Sequence, residues 1–380
     1  MSAPYPERGA SSARWWHRAA LAAAACALLT TVAADRASAE PGARDVPLPP
    51  GLATVWRVDG RRVDARAWSL AAYSTDGRLV GVSDDGGTRV YRARDGRVVR
   101  SFPAPFSTGQ FAYSLALSST GLVAIGRVGG IEVHSLERSV EPLKLHCGGV
   151  CGPVTALAFA PGGQWLAYQS ARGRRDVTPG LVGVVDLLAG ARAAQLEASA
   201  TRAGVLFADD ASLIAANTTS IDDAGTFGVR RFDGAAQWRR TRDVAGAQLP
   251  RGSIGPFAFD ERAAVYARDG NVELRDVATG ALAWSAPFVP PGLDSPGDAA
   301  ETRLELVAFF PRRELLLTFE APVSRSGPGA LALRRTSDGS VVAVYDVVGV
   351  SALAAAPDGR SFVYSTGVGR TYTAMARVPD

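Results

Sequence analysis

Two cysteines and a histidine form the densest group of potential metal ligands in this chain of 380 residues. They lie in the run His146-Cys-Gly-Gly-Val-Cys151, where Cys147 and Cys151 flank two glycines and a valine. A zinc site uses four ligands, or three and a water, and no second cysteine pair follows. Of the three cysteines, Cys26 lies in the N-terminal segment that is predicted to be removed, so two remain. An even number of cysteines in an exported chain favours a disulfide, and the glycines let so short a loop close. We therefore predict a Cys147–Cys151 disulfide, with free thiols or a metal site as alternatives.

Pairs of aspartates offer a second kind of binding chemistry. Asp84-Asp85 and Asp222-Asp223 place carboxylates side by side, and carboxylate oxygens are ligands that Ca²⁺ prefers. Aspartate is also a common turn residue, because its side chain accepts hydrogen bonds from nearby backbone N–H groups. Each pair is thus open to two interpretations, a Ca²⁺ ligand or a solvated turn residue, and no other cofactor is predicted.

Catalytic motifs are absent from the sequence. Outside the N-terminal segment two histidines remain, His134 and His146, and neither stands in a recognisable Ser-His-Asp setting. No Gly-x-Ser-x-Gly elbow, His-Glu-x-x-His helix or phosphate-binding loop occurs. The sequence therefore favours a protein without catalytic activity, although a site made of scattered carboxylates would leave no linear motif.

Residues 1–39 have the three parts of a secretory signal peptide. Three arginines precede an uncharged run rich in alanine and leucine at 19–34, and a small-x-small cleavage site ends at Ala39. The apolar run is shorter than the stretch of about 18 residues that spans a bilayer. We predict cleavage, export to the periplasm or the extracellular space, and no membrane span afterwards, with a retained anchor as the alternative. Residues 40–52 then form a Pro-rich linker.

The charge balance argues against nucleic acid as a partner. The whole chain has a formal net charge of +4, and residues 1–39 hold four arginines, one glutamate and one aspartate, a net of +2. The rest of the chain is near neutral (4 − 2 = +2), with Arg172, Arg174 and Arg175 as its local basic cluster. Nucleic-acid binding needs a basic stripe, and this cluster does not supply one.

An internal repeat organises the rest of the chain. Residues 68–83 read as an apolar strand, a turn at Asp76-Gly77 and a second strand, and residues 88–102 repeat this pattern around Asp95-Gly96. The first half of this unit recurs at 114–124, 154–168, 204–215, 256–266, 304–318 and 352–364. Seven units at intervals of about 40–50 residues fit the four-stranded blades of a β-propeller.

The two ends of the repeat region complement each other. The last unit runs out at Asp380 after three strands, and the stretch Thr54–Val63 reads as a missing later strand. A closed ring of sheets avoids two open edges. We therefore predict one domain, residues 53–380, an all-β seven-bladed propeller of four-stranded antiparallel blades that the N-terminal strand closes.

These segments resemble a known family. Leu157-Ala-Phe-Ala-Pro-Gly-Gly-Gln-Trp-Leu-Ala167 and residues 353–363 are similar to the first two strands of WD40-type blades. Residues 274–284 resemble the last hairpin of both WD40 and quinoprotein-like blades. Without the Gly-His and Trp-Asp dipeptides, the chain is similar to a degenerate WD40-like propeller, related to quinoprotein-like and YVTN propellers and of an exported bacterial type. The resemblance implies a binding scaffold and names no catalytic residue.

The long connections are expected on one face of this propeller. Turns between first and second strands and between third and fourth strands are short, whereas the other connections hold insertions at 104–110, 146–153, 171–181, 218–227, 287–302 and 322–329. Functional residues concentrate on long loops, although loop length also drifts without function. The candidate partner-binding residues on this predicted long-loop face are Asp84, Asp85, Arg172, Arg174, Arg175, Asp222, Asp223 and Arg325.

We predict a monomeric, exported, non-catalytic scaffold that binds a protein or peptide through the long-loop face. The alternative is a propeller enzyme of the lactonase or glycosidase type with a divalent metal in the central channel. A third interpretation, a quinone-cofactor or envelope-assembly propeller, is motivated by the stretch Asp276–Trp284. Carboxylates that converge on the channel would favour the enzyme, and an exposed aromatic or apolar patch on the long-loop face would favour the scaffold.

Overall fold

The computed structural model of the chain is built from strands. It describes residues 48–63, 69–104, 112–146, 151–172, 181–197, 203–218, 226–234, 239–248, 254–260, 262–277, 279–289, 302–310, 312–322, 328–366 and 369–379. These residues form 28 strands in seven four-stranded antiparallel sheets, which confirms the predicted seven-bladed propeller. The described ranges hold no helix.

Six blades take four consecutive strands each, and the seventh takes its strands from both ends of the described chain. Blade 1 comprises β2 (Leu70–Tyr73), β3 (Leu79–Asp84), β4 (Gly87–Arg92) and β5 (Val98–Pro103). Blade 2 comprises β6 (Ser114–Leu117), β7 (Leu122–Arg127), β8 (Gly130–Ser135) and β9 (Leu143–His146). Blade 3 comprises β10 (Cys151–Phe159), β11 (Trp165–Arg172), β12 (Leu181–Asp186) and β13 (Ala191–Glu197). Blade 4 comprises β14 (Ala203–Phe207), β15 (Ser212–Thr218), β16 (Thr226–Asp233) and β17 (Arg239–Gln248). Blade 5 comprises β18 (Ile254–Phe259), β19 (Ala263–Arg268), β20 (Asn271–Asp276) and β21 (Leu282–Pro287). Blade 6 comprises β22 (Thr302–Phe310), β23 (Leu315–Pro322), β24 (Pro328–Arg335) and β25 (Val341–Val348). Blade 7 comprises β26 (Val350–Ala355), β27 (Ser361–Thr366), β28 (Gly369–Arg377) and β1 (Thr54–Val63).

The first strands of the blades surround the axis of the ring. Each first strand contacts the first strand of the next blade, from β2 and β6 round to β26 and back to β2. Second and third strands lie between two neighbouring sheets, so β3, β7, β12, β19 and β20 are buried at four central positions in a row. Burial on both faces explains why β3, β7, β12 and β19 have central runs of apolar and small residues without strict alternation. In β20 the buried positions also include the ion pair of Glu273 and Arg275.

Aspartate side chains stabilise the short turns, as the sequence predicts. The Oδ1 atoms of Asp76 and Asp95 accept hydrogen bonds from backbone N–H groups two residues on, each at 3.1 Å. Asp338 and Asp358 do the same at 2.9 Å. Each carboxylate satisfies a donor that the turn would otherwise leave to water, which fixes the turn and the register of the hairpin.

The ring closes through β1. This strand pairs with β28 from Thr54–Ala376 to Val63–Gly369, which confirms the prediction that the N-terminal strand completes the last blade. Leu52, just before it, is buried in the core that blades 6 and 7 share. The two ends of the described chain therefore stabilise the same sheet.

Tryptophans on fourth strands anchor two blades to their neighbours. Trp56 of β1 donates its indole N–H to the carbonyl of Ala93 at 2.6 Å, in the last hairpin of blade 1. Gly96 lies beneath the ring with φ +68°, and a Cβ there would lie 2.8 Å from the indole. Trp284 repeats this contact from blade 5 to blade 6, with its N–H 2.8 Å from the carbonyl of Thr336.

An ion pair is fully buried on the face of blade 6 that meets blade 5. Glu320 and Arg334 have side chains that are 0% and 1% exposed, with Arg334 Nη2 3.0 Å from Glu320 Oε1. Thr318 donates to the same carboxylate at 2.6 Å, and Arg334 donates to the carbonyl of Pro287 in blade 5 at 2.8 Å. The backbone N–H of Val289 donates to Glu320 Oε2. Both charges are satisfied, as burial demands.

Removal of the Trp56 side chain should open the ring. Trp56→Ala deletes a buried indole and its hydrogen bond, and we expect a loss of about 3–5 kcal/mol in the free energy of unfolding, measured by urea denaturation. The matched control is Val99→Ala, because Val99 is exposed on a fourth strand, and its effect should stay within about 0.5 kcal/mol. Equal losses in both variants would contradict the role of this closure.

Removal of one member of the Glu320–Arg334 pair should lower the free energy of unfolding strongly, whereas replacement of both members by apolar residues should change it little. Glu320→Gln leaves a buried guanidinium without its counter-charge, and we expect a loss of about 3–5 kcal/mol. The double variant Glu320→Leu with Arg334→Met should lie within about 1–2 kcal/mol of the original protein in the same denaturation experiment. Glu305→Gln is the control, because its ion pair with Arg303 is partly exposed, and it should cost at most about 1 kcal/mol. A double variant as unstable as the single one would refute this account.

Candidate partner-binding face

The described strands end where the sequence places the insertions. In an antiparallel blade the connections between strands two and three, and between blades, share one face, which is the long-loop face. In blades 1, 2, 5 and 7 the connection between strands two and three has only two residues, so the insertions of this class belong to blades 3, 4 and 6. The long-loop face is therefore uneven around the ring.

Most of the predicted partner residues cannot be placed on this face. Arg172 ends β11, where its Cα is paired with that of Cys151 at the start of β10. The side chains of these two residues are outside the described set. The predicted site residues that lie wholly outside the described residues are Arg174, Arg175, Asp222, Asp223, Arg325 and Cys147. The predicted disulfide and the role of these residues stay predictions.

Asp84 and Asp85 do lie on the long-loop face, at the turn between β3 and β4, and they point differently. Asp84 Oδ1 accepts the N–H of Gly86 at 2.8 Å, and its Oδ2 lies 3.3 Å from Arg89 Nη1. Asp84 is thus a turn residue with a counter-charge. Asp85 is exposed at the tip, and partial desolvation together with the charge of Asp84 raises the pKa of its carboxyl.

This turn does not assemble a cation site on its own. Both oxygens of Asp84 already have donors, so one carboxylate, that of Asp85, is left to face solvent. Ca²⁺ takes six to eight oxygen ligands. Nowhere in the described ranges do three or more His, Cys, Asp or Glu residues come together as metal ligands.

An exposed aromatic and an exposed aliphatic side chain both lie at the long-loop end of blade 2. Tyr113 is 37% exposed, and its backbone N–H donates to the carbonyl of Gly126 at 2.8 Å. Val128 is 55% exposed at the tip of the two-residue turn between β7 and β8. Val128 also bridges to Pro153, so this apolar tip lies against the first residues of blade 3. The sequence reasoning missed both residues, because single apolar residues at turns carry no periodic signal.

A charged clip stabilises the hairpin that carries Val128. Arg127 Nε donates to Glu132 Oε2 at 2.8 Å across the turn. His134 lies 3.7 Å from the same oxygen, and its ring packs on Phe102 of blade 1 at 4.4 Å between centroids. His134 and Arg127 together hold the pKa of Glu132 at about 2. The clip makes the exposed turn a rigid element.

His134 is a residue of β8, and its ring packs on Phe102 of blade 1. Its Nε2 is 3.7 Å from Glu132 Oε2, the distance of an ion pair rather than of a direct hydrogen bond.

The innermost strands bear on the enzyme alternative. In the seven described first strands the carboxylate present is Glu305 of β22, and it is paired with Arg303. The other charged side chain in these strands is Arg303 itself, and the remaining residues are mainly small or apolar. These strands do not present the convergent carboxylates that a metal in the central channel would need. The enzyme alternative thus gains no support from them and stays a prediction.

No helix in the described ranges is long and apolar enough to cross a membrane. This observation does not extend to residues 1–47, which hold the predicted signal peptide and lie outside the description. Cleavage and export therefore stay predictions.

Comparison with known proteins identifies the fold and no family. No family model matches the sequence, and no curated protein is similar to it. A chain in the "Crystal Structure of Mitotic Checkpoint Complex" matches with a TM-score of 0.59 and 14% identity, covering 93% of this chain and 100% of that one. "Structure of U3-55K" matches with 0.60 and 16%, covering 86% and 100%. "Crystal structure of RRP9 WD40 repeats" matches with 0.61 and 15%, covering 87% and 100%. At such low identity the likeness shows that the chain has the fold of WD40-repeat propellers.

The clip should make stability depend on pH in acid. The folded pKa of Glu132, about 2, lies below the ordinary value of 4.5, so its ionised form stabilises the folded state. That contribution is fully present above about pH 4.5 and disappears as the pH falls through about 2. Because Glu132 is partly exposed, we expect Glu132→Gln to cost only about 1 kcal/mol at pH 7. The cost should vanish near pH 2 in denaturant unfolding.

Glu141→Gln serves as the control for this measurement, because the Glu141 side chain is 80% exposed. Its effect on unfolding should be near zero at every pH. A Glu132→Gln effect that is the same at pH 7 and pH 2 would show that lost packing, not charge, explains it.

Proposed function

We propose that this chain is an exported, non-catalytic propeller scaffold that binds a protein or peptide partner through its long-loop face. The observation that carries the proposal is the exposure of Tyr113 and Val128 at the long-loop end of blade 2, with Val128 beside the start of blade 3. Exposed aromatic side chains such as that of Tyr113 are enriched at the centres of protein interfaces. The proposal needs no cofactor.

Rigid support favours binding at this position. The backbone of Tyr113 is bonded to Gly126, and Arg127 and Glu132 hold the turn that presents Val128. A partner therefore meets side chains whose backbone is already ordered, which lowers the entropy cost of association. Asp85, exposed on the neighbouring blade, would supply a charge at the polar rim of such an interface.

The predicted cysteine loop would border the same anchor. Cys151 starts β10, and the carbonyl of Gly152 accepts the N–H of Gly129 at 3.2 Å, directly beside Val128. A disulfide from Cys151 to Cys147 would hold the intervening loop next to Tyr113 and Val128. This arrangement belongs to an exported protein, since such bonds persist in oxidising compartments. Signal cleavage, export and the disulfide are parts of the proposal.

The structural neighbours agree with a binding role. One of them is a chain of the Mitotic Checkpoint Complex, and all three have the propeller architecture. WD40-repeat propellers commonly hold other proteins, and that general role comes to this chain as a proposal because the fold does not determine function.

Photocrosslinking from the anchor tests the proposal. Val128 is replaced by benzoylphenylalanine in the exporting cell, and the same replacement at Leu188 is the control. Leu188 is 77% exposed but lies in the turn between β12 and β13, on the opposite face. We expect a discrete crosslinked partner from position 128 that unlabelled protein displaces, and none from position 188. Crosslinks from both positions, or from 188 alone, would refute the assignment of the face.

The affinity for the crosslinked partner then tests the anchor itself. Val128→Asp places a charge in the apolar contact, and we expect the Kd to rise at least about tenfold, or 1.4 kcal/mol. Leu188→Asp should leave the Kd unchanged. If Val128→Asp binds as well as the original protein, Val128 is not part of the interface.

A further inference from the structure

The fourth strands of the blades form the perimeter of the ring, and six of them are protected against pairing with another chain. Charged side chains, proline or short length are the usual protections of an edge strand. β9 has four residues and a lysine, β5 and β21 end in proline, and β1, β13 and β17 carry arginines. Of the seven described fourth strands, β25 alone is eight residues long with neither proline nor a basic residue, and its one charged residue is Asp346.

Among the described side chains of the perimeter strands, β25 has the largest number of exposed valines. Its sequence is Val-Val-Ala-Val-Tyr-Asp-Val-Val, and Val342, Val344 and Val348 are 39–42% exposed. Tyr345 and Val347, which alternate with them, are buried in the core shared with blade 7. The exposed valines therefore lie on the opposite face of the sheet. This is the face that meets blade 5, and the valines lie nearer the perimeter of the ring than the Glu320–Arg334 pair.

The outer edge of β25 has backbone groups in the regular geometry of a strand that could pair with another. The sheet order places β24 on one side of β25 and no strand on the other within the described residues. Apart from an irregularity near Val341, the pairing with β24 is regular from Ala343 to Val348. A regular edge presents alternate N–H and C=O groups at the spacing that another extended strand needs.

We propose that two copies of this chain associate edge to edge through β25, about a twofold axis, to form one continuous eight-stranded sheet from two blades. A strand that pairs with this edge must be extended and must have aliphatic side chains at alternate positions. β25 of a second copy has both properties. An antiparallel strand pair is self-complementary under twofold symmetry. The second copy is thus the occupant whose chemistry the sequence itself supplies.

Registers that keep the two Asp346 carboxylates apart are favoured, and an axis at Tyr345 gives one of them. An axis through Tyr345 places Val342 opposite Val348 of the partner subunit, and Val344 opposite Asp346 of the partner subunit. Paired residues then lie on the same face of the joint sheet, as antiparallel pairing requires. A register with the two Asp346 carboxylates opposite each other would bring like charges together, which is unfavourable.

The interface is small, so the dimer should be weak. One strand pair with its side chains falls below the area of about 1,200 Å² that stable complexes bury. The monomer that the sequence predicts should therefore dominate in dilute solution, and the dimer should form as the concentration rises. The long-loop face is not part of this contact, so the association is independent of the proposed scaffold function.

Sedimentation equilibrium of the purified protein tests the proposal. We expect the average mass to rise from monomer towards dimer between about 5 µM and about 500 µM, as a weak interface requires. Val344→Glu puts an acid opposite Asp346 and should weaken association at least about tenfold. Val98→Glu is the matched control, because Val98 is an exposed valine on the fourth strand of blade 1, and it should leave association unchanged.

Two further measurements keep the result decisive. A melting curve of Val344→Glu shows whether the variant is folded, and Val348→Glu replaces it in the same experiment if it is not. A synthetic peptide with the sequence of β25 should compete with dimer formation. The proposal is overturned if the original protein stays monomeric at every concentration, including the case in which it nevertheless binds the peptide. It is also overturned if Val98→Glu weakens association as much as Val344→Glu does.

Discussion

The pairing of β1 with β28 is the constraint on which the rest of this fold depends. A ring of blades has no open interface only if its first and last sheets meet, and here one sheet contains strands from both ends of the described chain. Without β1, β28 would be a bare edge, and the last hairpin of blade 1 would lose the indole of Trp56. Contacts between residues so far apart in the sequence carry an entropy cost of loop closure, and the contacts themselves must offset this cost. The stability of every blade is therefore linked to one strand pairing of long sequence separation.

The burial of the middle strands on both faces decides how polar groups are used. Arg275 and Arg334 occupy third strands of successive blades, and each donates to a turn carbonyl, that of Gly280 and of Gly339. Each arginine is matched by a buried glutamate, Glu273 in blade 5 and Glu320 in blade 6. The same device thus recurs in neighbouring blades, and it connects the middle of a sheet to its short-turn end. Buried charges with complete partners rigidify this side of the ring.

Strand order and turns were predictable because they depend on local signals. The Asp-Gly turns and the lone strand Thr54–Val63 follow from alternation and turn chemistry, and the structure confirms both. The Glu320–Arg334 pair was not predictable, since its members are on two different strands. The alternation of apolar and polar residues along a strand does not show how deeply a residue is buried between two blades. The exposure of Val128 was missed for the converse reason, because apolar residues in a strand-rich chain are expected inside. Three-dimensional neighbours, not residue type, decide these cases.

The two ends of each blade are built for different purposes. Between blades 1 and 3 the short turns are hydrogen-bonded to each other, with Ser119 donating from its backbone to Thr75 and from its hydroxyl to the carbonyl of Pro161. These bonds hold neighbouring blades at a fixed angle. The opposite end carries the exposed Tyr113, just before β6, and the exposed Val128, at the tip of the hairpin that Arg127 and Glu132 clip. A surface held rigid from behind retains its shape while its connections vary in length, which is how one propeller framework supports unrelated binding partners. Because β25 lies at the perimeter rather than on either end, contact through its edge would leave the long-loop face of both copies accessible.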